Sequence, residues 1–445
     1  MASPENIREM NLSVTGCSAR SGRLTWAHQD IIDYARRDPY VPSAVVDTPE
    51  RPRLDDCLAA IRTVVRRHES LRTLFVREGD SPVRQEIQGK VDIPVILVDH
   101  TSSSGGGRDS LLSALSRKVM DSSTEILFCL GFLVDNDNVA CVVVSAHHLI
   151  LDGWGFQNLV TELLGEIRSP GEGPSPQEVF QQLDQVEWES SGAGERGKEA
   201  AIAHHREDAL LLASRRSSWG KPASPKESVH SGGISLGLSS VQLEDVAKRL
   251  SVGTPSLLLA ACARTISASL DLGAFLVRVH CANRFNQKRM RSVTRLKTTT
   301  TMPFTEPGGT LRQVAAETQE LSLVAHHYAQ FPPEKYVRVL DDVLPDWRVG
   351  APLIVDFNDR RVIFDPAVNT SPGVGVDLTP FPDHPVVTSE PVRRTSEPFL
   401  GLKIDPCLRT GGAAVKLETN LLSRQKMEDY LSGIRDQLDQ EFRSR

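Results

Sequence analysis

The sequence predicts a mixed α/β protein of two units, and three observations carry that prediction. With 445 residues, the chain exceeds what one ordinary core encloses. Short β-branched apolar runs alternate with segments whose apolar residues recur at helical spacing, and they do so in both halves. Composition is that of a packed protein, 40% hydrophobic and 24% charged, without an internal repeat of fixed period.

In chain order, residues 54–65 (LDDCLAAIRTVV) carry apolar positions at a helical period and lead into a basic cluster. Residues 102–108 (SSSGGGR) read as a flexible loop. Cys141, Val142, Val143 and Val144 form a short β-branched run, the pattern of a buried strand. After a loop, Phe156, Leu159, Val160, Leu163, Leu164 and Ile167 mark one face of a helix. Residues 169–176 (SPGEGPSP) hold Pro and Gly too densely for a helix or central strand, so the main division is placed there, giving units 1–170 and 171–445. A rival boundary is 215–233, rich in Ser, Lys and Gly. Further on, Ser239 with Gln242 forms a capping box and Leu238 with Leu243 a staple, opening a helix. Residues 255–270 continue as an apolar helix and 274–279 (AFLVRV) as a strand.

Composition also bounds function. The 51 basic and 57 acidic residues leave a net charge of −6, which weakens nucleic-acid binding, since that needs a clustered basic surface. Aromatics at 5% give no base-stacking platform. Seven scattered cysteines without a CxxC suit small buried thiols rather than zinc or disulfides. The first residues are polar, without a signal-peptide pattern, and no stretch reaches ~18 uninterrupted apolar residues. The expectation is a cytoplasmic protein with no membrane span and no metal.

The sharpest feature is Ser145-Ala146-His147-His148-Leu149-Ile150-Leu151-Asp152-Gly153-Trp154. Read as consecutive strand residues, His147 and His148 point to opposite faces, which argues against a His-His metal pair and for one exposed imidazole beside one packed one. An imidazole is the usual general base near neutral pH. Asp152 orients that ring or holds the loop through an arginine, and Gly153 permits the bend from strand to helix. The plainer alternative is two core histidines and a helix-capping aspartate. The pairs His204-His205 and His326-His327 lack the Asp-Gly that follows and read as helix surface or packing residues. Gly233 to Gly237 fits G-x-S-x-G, yet its context is a strand running through the serine rather than an elbow. Residues 192–199 (GAGERGKE) approach the phosphate-loop spacing without its Ser/Thr or preceding strand. The Arg66-Arg67 and Arg360-Arg361 pairs read as solvated or salt-bridged.

HHLILDGW matches the HHxxxDG signature of condensation domains of nonribosomal peptide synthetases and their acyltransferase relatives, and further segments follow in that family's order. Leu24-Thr25-Trp26-Ala27 resembles its opening motif, and Arg67-His68-Glu69-Ser70-Leu71-Arg72-Thr73 its RHExLRT motif. Glu187-Trp188-Glu189, Ala282-Asn283-Arg284, residues 331–336 (FPPEKY) and 352–355 (PLIV) resemble later segments, so the resemblance covers roughly residues 20 to 440. One departure stands out. Where the family has V-G-x-F-V-N-T, this chain reads Val293-Thr294-Arg295-Leu296-Lys297 followed by Thr298, Thr299, Thr300 and Thr301, with charge replacing an apolar pair and threonine the asparagine.

The resemblance implies two chloramphenicol-acetyltransferase-like subdomains forming a V-shaped pseudo-dimer with a central channel. His148 would act on an acceptor amine or hydroxyl as it attacks a thioester donor. His147 would support it, and Asp152 would pair with an arginine, Arg72 or Arg284. Gly153 and Trp154 would shape the loop. No cofactor is bound permanently; the phosphopantetheine arm of a carrier protein, or coenzyme A, carries the substrate. Carrier proteins acting in trans on a free-standing monomer are the implied partners, with a carrier-bound or small soluble acceptor. Two rivals stand beside this reading: an acyltransferase with a small soluble acceptor, motivated by the Thr298–Thr301 departure, and a non-catalytic carrier-binding relative.

Overall fold

A computed structural model describes residues 7–32, 41–79, 81–99, 108, 111, 114–115, 125–219, 228–361, 382–391, 398–407 and 409–444. The 102–107 stretch and residues 220–227 of the rival boundary lie outside these residues. The described chain separates into two compact units. One takes described residues up to Glu195 together with Ala282–Lys297; the other takes Arg196–Cys281 and the described residues from Thr298 onward.

In the first unit come β1 (Ile7–Val14), β2 (Arg20–Arg23), α1 (Trp26–Gln29), β3 (Ser43–Asp47), α2 (Leu54–Arg67), β4 (Thr73–Glu78), β5 (Ser81–Ile87), β6 (Val91–Asp99), β7 (Phe128–Asp135), β8 (Asn138–Ala146), α3 (Gly153–Arg168) and α4 (Gln182–Glu189). A five-stranded sheet runs β1-β6-β7-β8-β3, antiparallel except for the β6–β7 pair, and β2-β5-β4 form a smaller sheet. Both faces of the larger sheet are covered. Val142 and Val144 enter the core shared with α2 and α3, while Cys141 and Val143 pack on the opposite side with Leu111 and Leu115. Burial on two faces is why β7 and β8 read as continuous apolar runs. The spaced apolar face of α3 is buried in that first core through Phe156, Leu159, Val160, Leu163 and Leu164.

The second unit holds α5 (Gly192–Ser214), whose first residues belong to the preceding unit, then β9 (Ser228–Ser239), α6 (Ser240–Leu250), α7 (Thr254–Leu270) and β10 (Phe275–Cys281). The chain returns to the first unit for the segment containing α8 (Gln287–Met290). It then resumes with β11 (Thr298–Phe304), α9 (Leu311–His327), α10 (Pro333–Val343), β12 (Ile354–Asp359), β13 (Val386–Pro391), β14 (Leu400–Cys407), β15 (Gly412–Thr419) and α11 (Arg424–Arg443). Its seven-stranded sheet runs β11-β10-β12-β14-β15-β9-β13. One face packs on α6, α7, α9 and α11; the other meets α5 and α10 through Leu212, Trp219, Leu276, Val339 and Leu340. The G-x-S-x-G string lies inside β9 with Ser235 buried, and GAGERGKE lies in α5. Ser239 caps α6 reciprocally with Gln242.

The structure divides the chain elsewhere than at 170/171. The Gly-Pro stretch stays with the first unit because its turn is tied down: Gly171 N–H donates to Glu166 and Glu172 N–H to the Ser169 carbonyl. Beyond it, the buried Glu189 of α4 accepts from Trp26 N–H at 3.0 Å. Among the described residues no helix is long and apolar enough to cross a membrane.

Candidate active site

The site is built where β8 stops. The ladder ends at Ala146, His147 N–H donates to the Leu127 carbonyl, and the His147 carbonyl accepts from Ile150 N–H to close a turn. His147 and His148 are therefore turn residues rather than strand residues, and strand alternation does not set their directions. The turn does separate them. His147 is buried, its Nδ1 accepting from Leu149 N–H at 3.0 Å, whereas His148 keeps part of its surface exposed. Burial, and then the nearby charge of Arg295, hold the His147 ring at about 4. The same two causes, with Lys297 added, push His148 well below the ordinary 6.5, against the opposing pull of Asp152 and a backbone hydrogen bond with Leu151. Both shifts favour the neutral imidazole.

Asp152 is the knot of the loop. Oδ1 caps α3 by accepting from Gly155 N–H at 2.7 Å. Oδ2 accepts from Arg284 Nη1 at 2.8 Å and from the backbone N–H of Leu296 and Lys297 at 2.8 and 2.9 Å. Burial alone would raise this carboxyl, but the charge and hydrogen bonds of Arg284 and the backbone donors overcome it and hold it at about 2. Arg284 also donates to the Ala282 and Thr294 carbonyls. Gly153 opens the helix, and Trp154 Nε1–H reaches the Met290 carbonyl at 3.0 Å.

Arg72 is elsewhere. Its guanidinium donates to the carbonyls of Val65, Ser18 and Gln88, tying α2 to the ends of β5 and the β1–β2 connection. The rest of its motif braces the same unit: Arg67 pairs with Glu162 and Glu166 of α3, and His68 with Glu162 at 2.8 Å. Trp26 and Trp188 meet edge to face with centroids 6.1 Å apart, and Arg289 lies over the Trp188 and Phe180 rings. Segments scattered along the sequence thus converge on one unit.

Sequence reasoning missed three contributors. Asn158, one helical turn beyond Trp154, donates to the Met290 and Ser292 carbonyls. A Cβ on Gly155 would lie 2.5 Å from the Thr294 carbonyl oxygen, so this glycine allows the 282–297 segment to reach the helix start. Arg295, fully buried, bonds the Ala27 and His148 carbonyls; its only sequence signal was the charge in the Val293–Thr301 departure. The threonine hydroxyls of that run bond within the second unit: Thr298 to the Ala329 carbonyl, Thr300 with His205 and Thr301 with Tyr336. Among the described residues no group of three His, Cys, Asp or Glu side chains is placed to hold a metal ion.

Comparison with known proteins agrees with this architecture. Surfactin synthase subunit 1 of Bacillus subtilis is 33% identical over 136 residues, which is 31% of this chain and 4% of that protein. The isonitrile lipopeptide synthase of Mycobacterium tuberculosis is 30% identical over 119 residues, 26% of this chain and 5% of the other. The chain thus spans only a small part of these curated relatives. Among solved structures, the condensation domain of the Monacolin K polyketide synthase MokA superposes with a TM-score of 0.65 at 15% identity, covering 96% of this chain and 98% of that one. The tallysomycin biosynthesis protein TlmII gives 0.68 at 13% identity, covering 95% and 98%. SgcC5 from Streptomyces globisporus gives 0.63 at 16%, covering 95% and 98%. The family model for the condensation domain matches residues 34–329, well over half the chain, and the protein belongs to the condensation-domain family.

Proposed function

We propose that this chain transfers an acyl or aminoacyl group from a carrier-protein thioester to an amine or hydroxyl acceptor. The observation that carries the reading is His148: a partly exposed residue whose imidazole is shifted towards its free-base form, on a turn whose next residues are pinned through Asp152. In the reaction the acceptor nitrogen or oxygen attacks the thioester carbonyl. A C–N or C–O bond forms, the C–S bond breaks, and the acceptor's proton passes to His148 and then to the departing thiolate. A ring pushed below its ordinary range favours its free-base form but is weakly basic, which favours accepting a hydrogen bond and aligning the nucleophile over early, complete proton removal. Holding both reactants in place supplies much of the remaining acceleration.

His147 then supports the turn through Leu149 N–H, Asp152 and Arg284 fix the loop, and Gly153 and Trp154 shape the start of α3. The substrate arrives on a phosphopantetheine arm or on coenzyme A, and no permanently bound cofactor takes part. Delivery in trans to a free-standing monomer in the cytoplasm belongs to the same proposal. Carrier chemistry is supported by the condensation domain-mediated chain release described for the enacyloxin polyketide synthase, a structural neighbour with a TM-score of 0.66. Thr298, Thr300 and Thr301 use their hydroxyls within the second unit, and a small soluble acceptor stays the alternative reading.

The test is acyl transfer from a loaded carrier protein to carrier-bound and free amines and alcohols, comparing wild type with His148→Ala. Loss of about 100-fold or more is expected. Unchanged turnover in the variant would overturn the role of His148. Cα proton exchange without bond formation would replace transfer with epimerisation.

A further inference from the structure

Among the described residues Arg295 is the largest fully buried side chain, and it lies in the segment that departs from the family's run. A buried guanidinium is costly unless its donors are used. Nε donates to the Ala27 carbonyl at 2.8 Å, Nη1 to the His148 carbonyl at 3.3 Å, and Nη2 lies 3.9 Å from Asp30. One planar group therefore joins the His148 turn to the segment entering and leaving α1. Its neighbours along the chain, Leu296 and Lys297, are bonded to Asp152 by their backbone N–H groups, so the guanidinium approaches from a fixed direction. The charges acting on the ring are Arg295 and Lys297 from this segment and Asp152 from the turn; Asp30, at the end of α1, lies near both cations, and the Arg295 charge also acts on His147 and His28.

We propose that Arg295 is a positioning residue for His148, holding the backbone of the imidazole-bearing turn and placing a fixed positive charge beside it. The inference rests on the assignment of His148 in the proposed reaction. His28 and His147, both pushed down by burial and by the Arg295 charge, share the suppressed protonation of His148. A carbonyl-binding guanidinium does two things that an apolar residue would not: it fixes the turn by directed bonds, and it penalises an imidazolium.

The test compares Arg295→Met, Arg295→Lys and Lys297→Met in pH–rate profiles and in an NMR titration of the His148 ring, assigned by its loss in His148→Gln. Removing a cation raises the ring's pKa, so the acidic limb of kcat/KM moves to higher pH. Arg295→Met should move both limb and ring titration up by about one pH unit or more. Arg295→Lys keeps the charge and should leave the limb in place while lowering kcat about tenfold, because the forked bonds are lost. Lys297→Met, at a partly exposed position, should give the smaller shift in the same direction and covers the case in which Arg295→Met does not fold. A ring titration unmoved in both Arg295→Met and Lys297→Met, or in Lys297→Met alone when Arg295→Met does not fold, would overturn the proposal. A ring that moves while the rate profile stays put would uphold the electrostatic coupling and defeat the catalytic assignment of His148 instead.

Discussion

Replacing Asp152 by Asn is a sharp perturbation of the site, because the two side chains have the same shape. The Asn oxygen can still accept from Gly155 N–H, so the helix cap survives. Its NH2, however, falls where Oδ2 accepts from Arg284 and from the N–H groups of Leu296 and Lys297, setting one donor against three. Arg284 then stays buried without its counter-charge, with 2% of its side chain exposed. Breaking a buried pair by removing one partner costs about 3–5 kcal/mol, and we expect about 4 here. The pH dependence gives a partial check. The carboxyl is held at about 2 against an ordinary 3.8, so its charged form contributes about 2 kcal/mol. With the folded value depressed, that contribution is complete above pH ~4 and is lost as pH falls towards ~2; Asp152→Asn should flatten this acid limb. Arg284→Met added to Asp152→Asn should cost less than the sum of the single changes, since the stranded charge is gone. The assay is urea unfolding followed by tryptophan emission, as Trp26, Trp154 and Trp188 report on this unit. A midpoint change worth less than about 1 kcal/mol in Asp152→Asn would refute the reasoning.

Three other outcomes follow from the same geometry. Gly155→Ala forces a methyl against the Thr294 carbonyl at 2.5 Å and should destabilise the unit by about 2 kcal/mol or more, whereas Gly165→Ala, on open space in the same helix, should stabilise slightly; equal midpoints for the two would contradict the close approach. Trp154→Phe loses the bond to the Met290 carbonyl and part of the ring's packing and should cost about 1 kcal/mol or more by urea midpoint. Arg72→Met strands three carbonyls, so stability should drop by about 2–3 kcal/mol, while kcat, measured well below the unfolding temperature, should hold within about twofold; a large kcat loss in folded protein would return Arg72 to the site.

What the sequence made legible were features decided by neighbours along the chain. The spacing of Phe156 to Leu164 names the buried face of α3, and Ser239 with Gln242 starts α6 where the capping box lies. The two-sided burial of β8 follows from its unbroken β-branched run. Features decided by distant residues were not legible. Arg72 and Arg284 are both buried arginines in motif-like strings, and the pairing with Asp152 spans 132 positions, a separation over which no local pattern operates. The histidine pair shows a subtler failure, since the ladder ends one residue before His147 and the bond between Ile150 N–H and the His147 carbonyl, rather than pleat alternation, separates the rings.

The boundary at 170/171 failed for a related reason: composition registers how the backbone bends but not which core the chain then joins. Residues 282–297 make the point most strongly. They are flanked in sequence by strands of the second unit, yet Val293 packs in the first unit's core and Leu296 and Lys297 bond Asp152. Apolar periodicity is absent from this segment because polar bonds hold it, through Arg284, Arg295, Asn158 and Trp154. A segment held by bonds of that kind reads as loop in any single sequence, and here it supplies both the counter-ion of the DG loop and the guanidinium beside His148. The departure at Val293–Thr301 is therefore two things in one string. Its threonines serve the second unit's packing, whereas its two cations face the imidazole of the first, and variants in the cations, not in the threonines, are the ones that should change how His148 titrates.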